Sequence, residues 1–148
     1  MVIANVTAAR DEIFTRFRTQ WLADTPAITG TAPEIRWQGV EEALEPPSDA
    51  PWVRVTVLHA TGEQSSMGET GNRSFDHSGI VTVQVFVPFE DQGFDTMDAL
   101  VQVAIDAFEG QTTVNRVWFR NVRINEIGPD RAWINTNVIS DFEYRVVR

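Results

Sequence analysis

The chain contains no cysteine, no lysine, only two histidines and a single tyrosine. Without cysteine there is no disulfide framework, no thiolate metal site and no thiol nucleophile. With every basic residue an arginine, the missing lysine points to a GC-rich coding bias before it points to any mechanism. No uninterrupted apolar stretch approaches the length of a membrane span. The opening MVIANVTAARDEIF has neither the basic start nor the apolar run of a signal peptide. The expectation is a soluble protein made in the cytoplasm, with no membrane contact. Positive charge is scarce as well. A formal net charge of -9 argues against gripping a nucleic-acid backbone, which needs a basic footprint. It leaves open DNA passing nearby, since like charge discourages sticking.

What is present is a core. The chain has 148 residues, 43% of them hydrophobic, enough for one compact domain spanning 1–148 and hardly enough for two. Ile3, Val6, Arg10, Ile13, Phe14, Phe17, Trp21 and Leu22 follow three- and four-residue steps, all but Arg10 apolar, which predicts a first helix. Thr25-Pro26 stops it, because a residue before proline avoids helical angles. A short strand is expected at Ile35 to Gln38. The acidic, proline-rich VEEALEPPSDAPW reads as an exposed connection. Its Glu41, Glu42, Glu45 and Asp49 read as solvated surface, because two adjacent prolines interrupt any ligand geometry.

Trp52 to His59 alternates as a strand, with Val53, Val55 and Val57 on one side. The segment from Thr61 to Ser78, rich in glycine and small polar residues, is expected to be a long flexible loop, and such loops are commonly functional. The next strand, Ile80 to Val87, puts Val81, Val83, Val85 and Val87 on one face and Ile80, Thr82, Gln84 and Phe86 on the other. A second helix, capped by Asp95 or Thr96 and closed by Gly110, carries Met97, Leu100, Val101, Ala104, Ile105 and Phe108 on one stripe. Strands at Val117 to Ile127 and Ala132 to Val147, joined by the turn GPDR, complete the chain. The last strand is too long for one flat ladder, so a bulge is expected near Asn135 to Asn137. Two singly striped helices suit one face of one mostly antiparallel sheet of four to five strands, an α+β fold. The other face, with Thr56, Thr82, Gln84 and Phe86 and with Trp118 or Phe119 nearby, is too apolar for water and too polar for a dry core.

Chemistry is sparse in this pattern. His59 and His77 flank the long segment and with Asp76 form the one set suited to a metal or a shared proton, though surface residues at strand ends are the simpler reading. GEQSSMG lacks the first glycine of a nucleophile elbow, since Gln64 stands two before Ser66. There is no GxGxxG, no phosphate loop and no HExxH. Glu90, Asp91, Asp95 and Asp98 crowd a helix start, where negative charge is stabilised. Trp21, Trp37, Trp52, Trp118 and Trp133 are spread over different elements and read as core or interface. The expectation is a structural or assembly protein, with no catalytic residue, metal or cofactor.

PWVRVTVLHATGEQSSMG, then SGIVTVQVFVPFEDQGF, a helix ending IDAFEG and a last strand ending FEYRV together resemble the tail terminator family of long-tailed phages and of phage-derived gene transfer particles. The likeness runs from about Pro51 to the C-terminus, and the leading helix fits it; the tract from Pro26 to Ala50 carries no matching signature. The resemblance implies a virion protein of the tail neck, assembled in the bacterial host cytoplasm. It implies a homo-oligomeric ring, generally a hexamer, that caps the head-proximal end of the tail tube and stops its growth. Its partners would be the tail tube protein and the connector or stopper of the head, with DNA only as cargo. Six copies at -9 would carry roughly -54, a field that keeps a conduit non-adhesive. Expected interface residues are Glu63, Gln64, Met67, Arg73 and Phe75 in the long segment, with Arg73 and Phe75 as anchors, and Thr82, Gln84, Phe86 and Trp118 on the second face. Two alternatives stay open. One is another neck or tail subunit, a head-tail connector or a tube protein. The other is a small metal- or ligand-binding domain built on His59, His77 and Asp76.

Overall fold

The structure, a computed structural model, describes residues 3–40, 45–90 and 93–148, apart from the side chain of Asp130. Glu41, Glu42 and Asp91 of the acidic groups above lie outside the described residues.

Helix α1 spans Val6–Asp24, and the Asn5 side chain caps it by accepting from the Ala8 N–H at 2.9 Å. Its buried stripe is Ala9, Ile13, Phe17 and Trp21. This is narrower than the sequence pattern, since Val6 and Leu22 are exposed. Thr25 ends α1, donating its hydroxyl to the Trp21 carbonyl at 2.6 Å, and Pro26 opens the single turn α2, Pro26–Thr29. Helix α3 spans Gly93–Phe108. It begins before the expected cap, so Asp95 lies within its first turn, where its charge favours the helix dipole. Gly110, φ +70°, follows its end as expected.

The strands are β1 (Glu34–Trp37), β2 (Trp52–Gln64), β3 (Ser74–Pro88), β4 (Trp118–Asp130) and β5 (Trp133–Val147). They form one sheet in the order β1-β2-β3-β5-β4, antiparallel except for the β1–β2 pair. The fold is α+β. Each row of the inner face crosses the sheet: Val53, Val85 and Thr136; Val55, Val83 and Val138; Val57, Val81 and Ser140. These rows join Ile13, Phe17 and Trp21 of α1 and Met97, Leu100, Ala104 and Phe108 of α3 in one core. Phe17 stacks on Phe108, with centroids 6.1 Å apart, and meets Trp37 edge-on at 6.3 Å, so α1 is seated over both α3 and β1. The Arg16 Nε donates to the Ala107 carbonyl at 2.9 Å, satisfying a free acceptor at the end of α3. Glu12 accepts from Thr113 and Asn115 and fixes the connection into β4.

Two expectations about strands need correction. The segment from Thr61 to Ser78 is not a loop throughout: its two ends extend β2 and β3, and residues 65–73 connect them. Thr61 pairs with Ser78, Gly62 with His77, Glu63 with Asp76 and Gln64 with Phe75. The other edge of β3 pairs with β5 over the same stretch, from Ser74 with Val147 to Ser78 with Glu143. A ladder on both sides of β3 holds polar residues that, read alone, carry no strand signal. The bulge expected in β5 lies instead in β4, at two places: between Arg120 and Arg123, and between Glu126 and Gly128. β5 is flanked on both sides, so an extra residue there would break two ladders, whereas β4 is an edge. The Ile127 bulge does sit opposite Asn135 and Thr136. The tight turn is Arg131-Ala132, with Arg131 at φ +56°, rather than GPDR as a whole.

Candidate interface surfaces

The helices cover one face of the sheet and leave the other open. On the open face the rows are Trp52, Phe86 and Asn135; Arg54, Gln84, Asn137 and Asn125; Thr56, Thr82, Ile139 and Arg123; then Leu58, Ile80, Asp141 and Arg120. Thr82, Gln84 and Phe86 therefore share this face, all half-buried, and Trp118 joins it opposite Glu143. Leu58 stands 59% exposed here, more than a buried-core reading of its strand would give.

One end of this face is aromatic. Trp52 stacks on Phe86 with centroids 4.3 Å apart, and Arg54 and Arg36 lie over the Trp52 ring at 5.3 and 5.9 Å. Trp52, Phe86, Ile127, Trp133 and Asn135 line a cleft of about 210 Å³. Trp52 Nε1 and Asn135 Oδ1 are buried there without a hydrogen-bond partner among the described residues. Natural cores leave few such atoms unsatisfied. The sequence placed Phe86 on this face but missed Ile127, whose direction depends on the β4 bulge, and Trp133, which shares the face because β5 alternates without a break from it through Asn135.

At the opposite end, β2, β3 and β5 run on together as a three-stranded arm. Glu63, Asp76 and Arg145 form a row on its open face. Arg145 grips Asp76 with two hydrogen bonds, 2.7 and 3.1 Å, and this holds the Asp76 carboxyl below its ordinary range. Gln64, Phe75 and Val146 form the row on the other face. Met67 is at the tip, 97% exposed. Arg73 turns back: its Nε donates to the Gly68 carbonyl at 2.7 Å, and its backbone exchanges two 2.7 Å hydrogen bonds with Arg148. The two expected anchors thus differ from the rest, Arg73 closing the tip and Phe75 packing on the side of Val146.

His59 and His77 do come together, through Tyr144. His59 Nε2 lies 2.9 Å from the Tyr144 hydroxyl, and the His77 ring stacks on Tyr144 at 5.4 Å. Gly79 makes this possible, since it separates His59 from Phe142 in the same row and leaves room for both rings. Burial, then the charges of Arg10 and His77, lowers the His59 pKa, and burial raises that of Tyr144. Asp76 is on the other side of the strand from His77, engaged by Arg145. The metal set imagined from His59, His77 and Asp76 is therefore not assembled. Among the described residues no group of three or more His, Asp or Glu is placed to hold a metal. Nor, among them, is any helix long and apolar enough to cross a membrane.

Comparison with known proteins adds a family. A family model described as phage tail terminator protein matches residues 12–136. A solved chain whose name states no activity has 17% identity and a TM-score of 0.60, covering 91% of this chain and 94% of its own length. A chain in the solved virion of a native gene transfer agent particle has 15% identity and a TM-score of 0.51, covering 92% and 93%. At these identities the two structures speak for the fold. No curated protein matches the chain.

Proposed function

The chain belongs to the phage tail terminator protein family, and from that premise we propose that it forms a closed ring, of six copies, on the head-proximal end of a tail tube. At the coarser level it is a structural protein of phage-type tails and a virion component. In the finer reading the ring stops tube growth, presents a surface to the connector or stopper of the head, and lets DNA through as cargo. Assembly takes place in the host cytoplasm, and the protein catalyses nothing.

The observation that carries this reading is the open sheet face, half apolar and ending in the Trp52–Phe86 stack. Exposed apolar surface of this kind marks an interaction site. Glu63, Thr82, Gln84, Phe86 and Trp118 are its contact residues, joined by Met67 at the arm tip and by Gln64 and Phe75 on the arm's other face, with Arg73 shaping the tip. A terminator and a tube subunit differ in what they build. The test is the mass of the purified protein by light scattering, alone and with its tail tube protein, with tube lengths read by electron microscopy. A single ring, or a monomer that becomes a ring on tube ends and limits their length, is expected. Long tubes from the protein alone would make it a tube subunit, and a monomer indifferent to the tube would overturn the reading.

A further inference from the structure

The open face has a protrusion at one end and a hollow at the other. β3 alone, with 15 residues from Ser74 to Pro88, spans about 50 Å at some 3.3 Å per residue. At its beginning the arm ends in Met67; at its end lies the cleft of Trp52, Phe86, Ile127, Trp133 and Asn135. We propose that the arm tip of one copy seats Met67 in the aromatic cleft of the next copy, and that this head-to-tail contact is what closes the ring. The inference rests on the ring reading and names the surfaces that make it.

Three features fit the pair. Met67 is unbranched and, with its polarisable sulfur, suits an irregular pocket walled by aromatic rings. A fully exposed methionine at one end and an apolar cleft at the other leave both surfaces incomplete in the single chain. The charges also match. On the arm, Asp76 is already held by Arg145, while Glu63 and Glu69 near the tip form no ion pair among the described residues. At the cleft, Arg36 is taken up by Glu34 at 3.2 Å, while Arg54, over the Trp52 ring, forms no ion pair among the described residues. The two carboxylates of one tip therefore meet an unpaired guanidinium on the cleft of the next copy. Because the two patches differ, the contact is heterologous, which gives rings when the rotation closes and filaments when it does not.

The absence of native cysteine makes the contact directly testable. Met67→Cys combined with Ile127→Cys, treated with a short bis-maleimide, is expected to give a covalent ladder up to the full ring. Met67→Cys with Val114→Cys, at an exposed position in the connection before β4, is expected to give none. Light scattering is run on the same samples, alone and on tube ends. Rings whose ladder is missing, or equal in the control pair, would overturn the contact and leave the ring standing. No ring under either condition would overturn the ring and this inference with it. Met67→Glu, at a position too exposed to affect folding, is expected to raise the concentration needed for ring formation about tenfold or more. An unchanged value would count against the contact.

Discussion

At Gly79 one added methyl group has nowhere to go. A Cβ there would sit 2.1 Å from the Leu58 carbonyl oxygen, 2.8 Å from Phe142 and 2.9 Å from the His59 Cα. Two of these neighbours are backbone, so no rotamer change relieves them. Gly79→Ala is expected to destabilise the fold by about 3 kcal/mol, at the upper end of overpacking costs, as read from urea unfolding midpoints. The histidine beside it supplies a pH dependence. His59 has a pKa below its unfolded value near 6.5, first because it is buried. The folded state therefore takes up a proton less readily than the unfolded one. The stability tied to His59 is complete above about pH 6.5 and is lost as pH falls towards the lowered value. Thermal midpoints measured between pH 8 and 5 are expected to fall on the acid side for the native chain and to flatten for His59→Gln. A slope unchanged by that substitution would assign the effect to other groups.

The elements show where sequence is a good guide and where it is not. The valines of β2 and β3 and the stripe of α3 were legible because each element carries its own period, two or near 3.6, and the core enforces it. The arm was not legible. Thr61, Gly62, Glu63 and Gln64 have little strand preference, and they are held by partners in β3 that β5 braces from the far side. Such cooperation between distant segments leaves no local pattern. The same holds for the open face: Thr82, Gln84 and Phe86 were readable from alternation, whereas Trp118 was left level with Phe119, Ile127 joined the cleft only through a bulge, and Arg73 was assigned outward although it closes its own turn. The arm also depends on Asp76 and Arg145. The hydrogen bond from Arg145 lowers the Asp76 pKa, so this tie is present above about pH 4 and weakens as pH falls through the lowered value. Asp76→Asn is expected to speed amide exchange at residues 61–64 by several-fold and to leave residues 81–87 unchanged, as followed by hydrogen exchange. Equal acceleration in both segments would mean that the arm and the core open as one unit.

At the scale of the whole molecule, charge sets behaviour towards DNA. With 21 carboxylates against 12 arginines, the free protein is expected to leave the anisotropy of a labelled duplex unchanged at micromolar concentrations in 150 mM salt, where phosphate-gripping proteins begin to bind. Clear binding under those conditions would contradict a passive conduit. The order of the strands carries a different consequence, one for the birth of the protein. β5 is the last strand to be synthesised, yet it belongs between β3 and β4. Trp133 must find Pro88 and Val147 must find Ser74, across a span that already holds α3 and β4. Until the ribosome has delivered that strand, the valine-rich β3 has one open edge and the arm lacks its brace. Sheets built from such distant pairings fold slowly, in milliseconds to seconds. The nascent chain therefore passes through a stage in which a sticky edge is exposed to its neighbours on the same messenger, and a host chaperone that shields β3 until release would raise the yield of assembled tails.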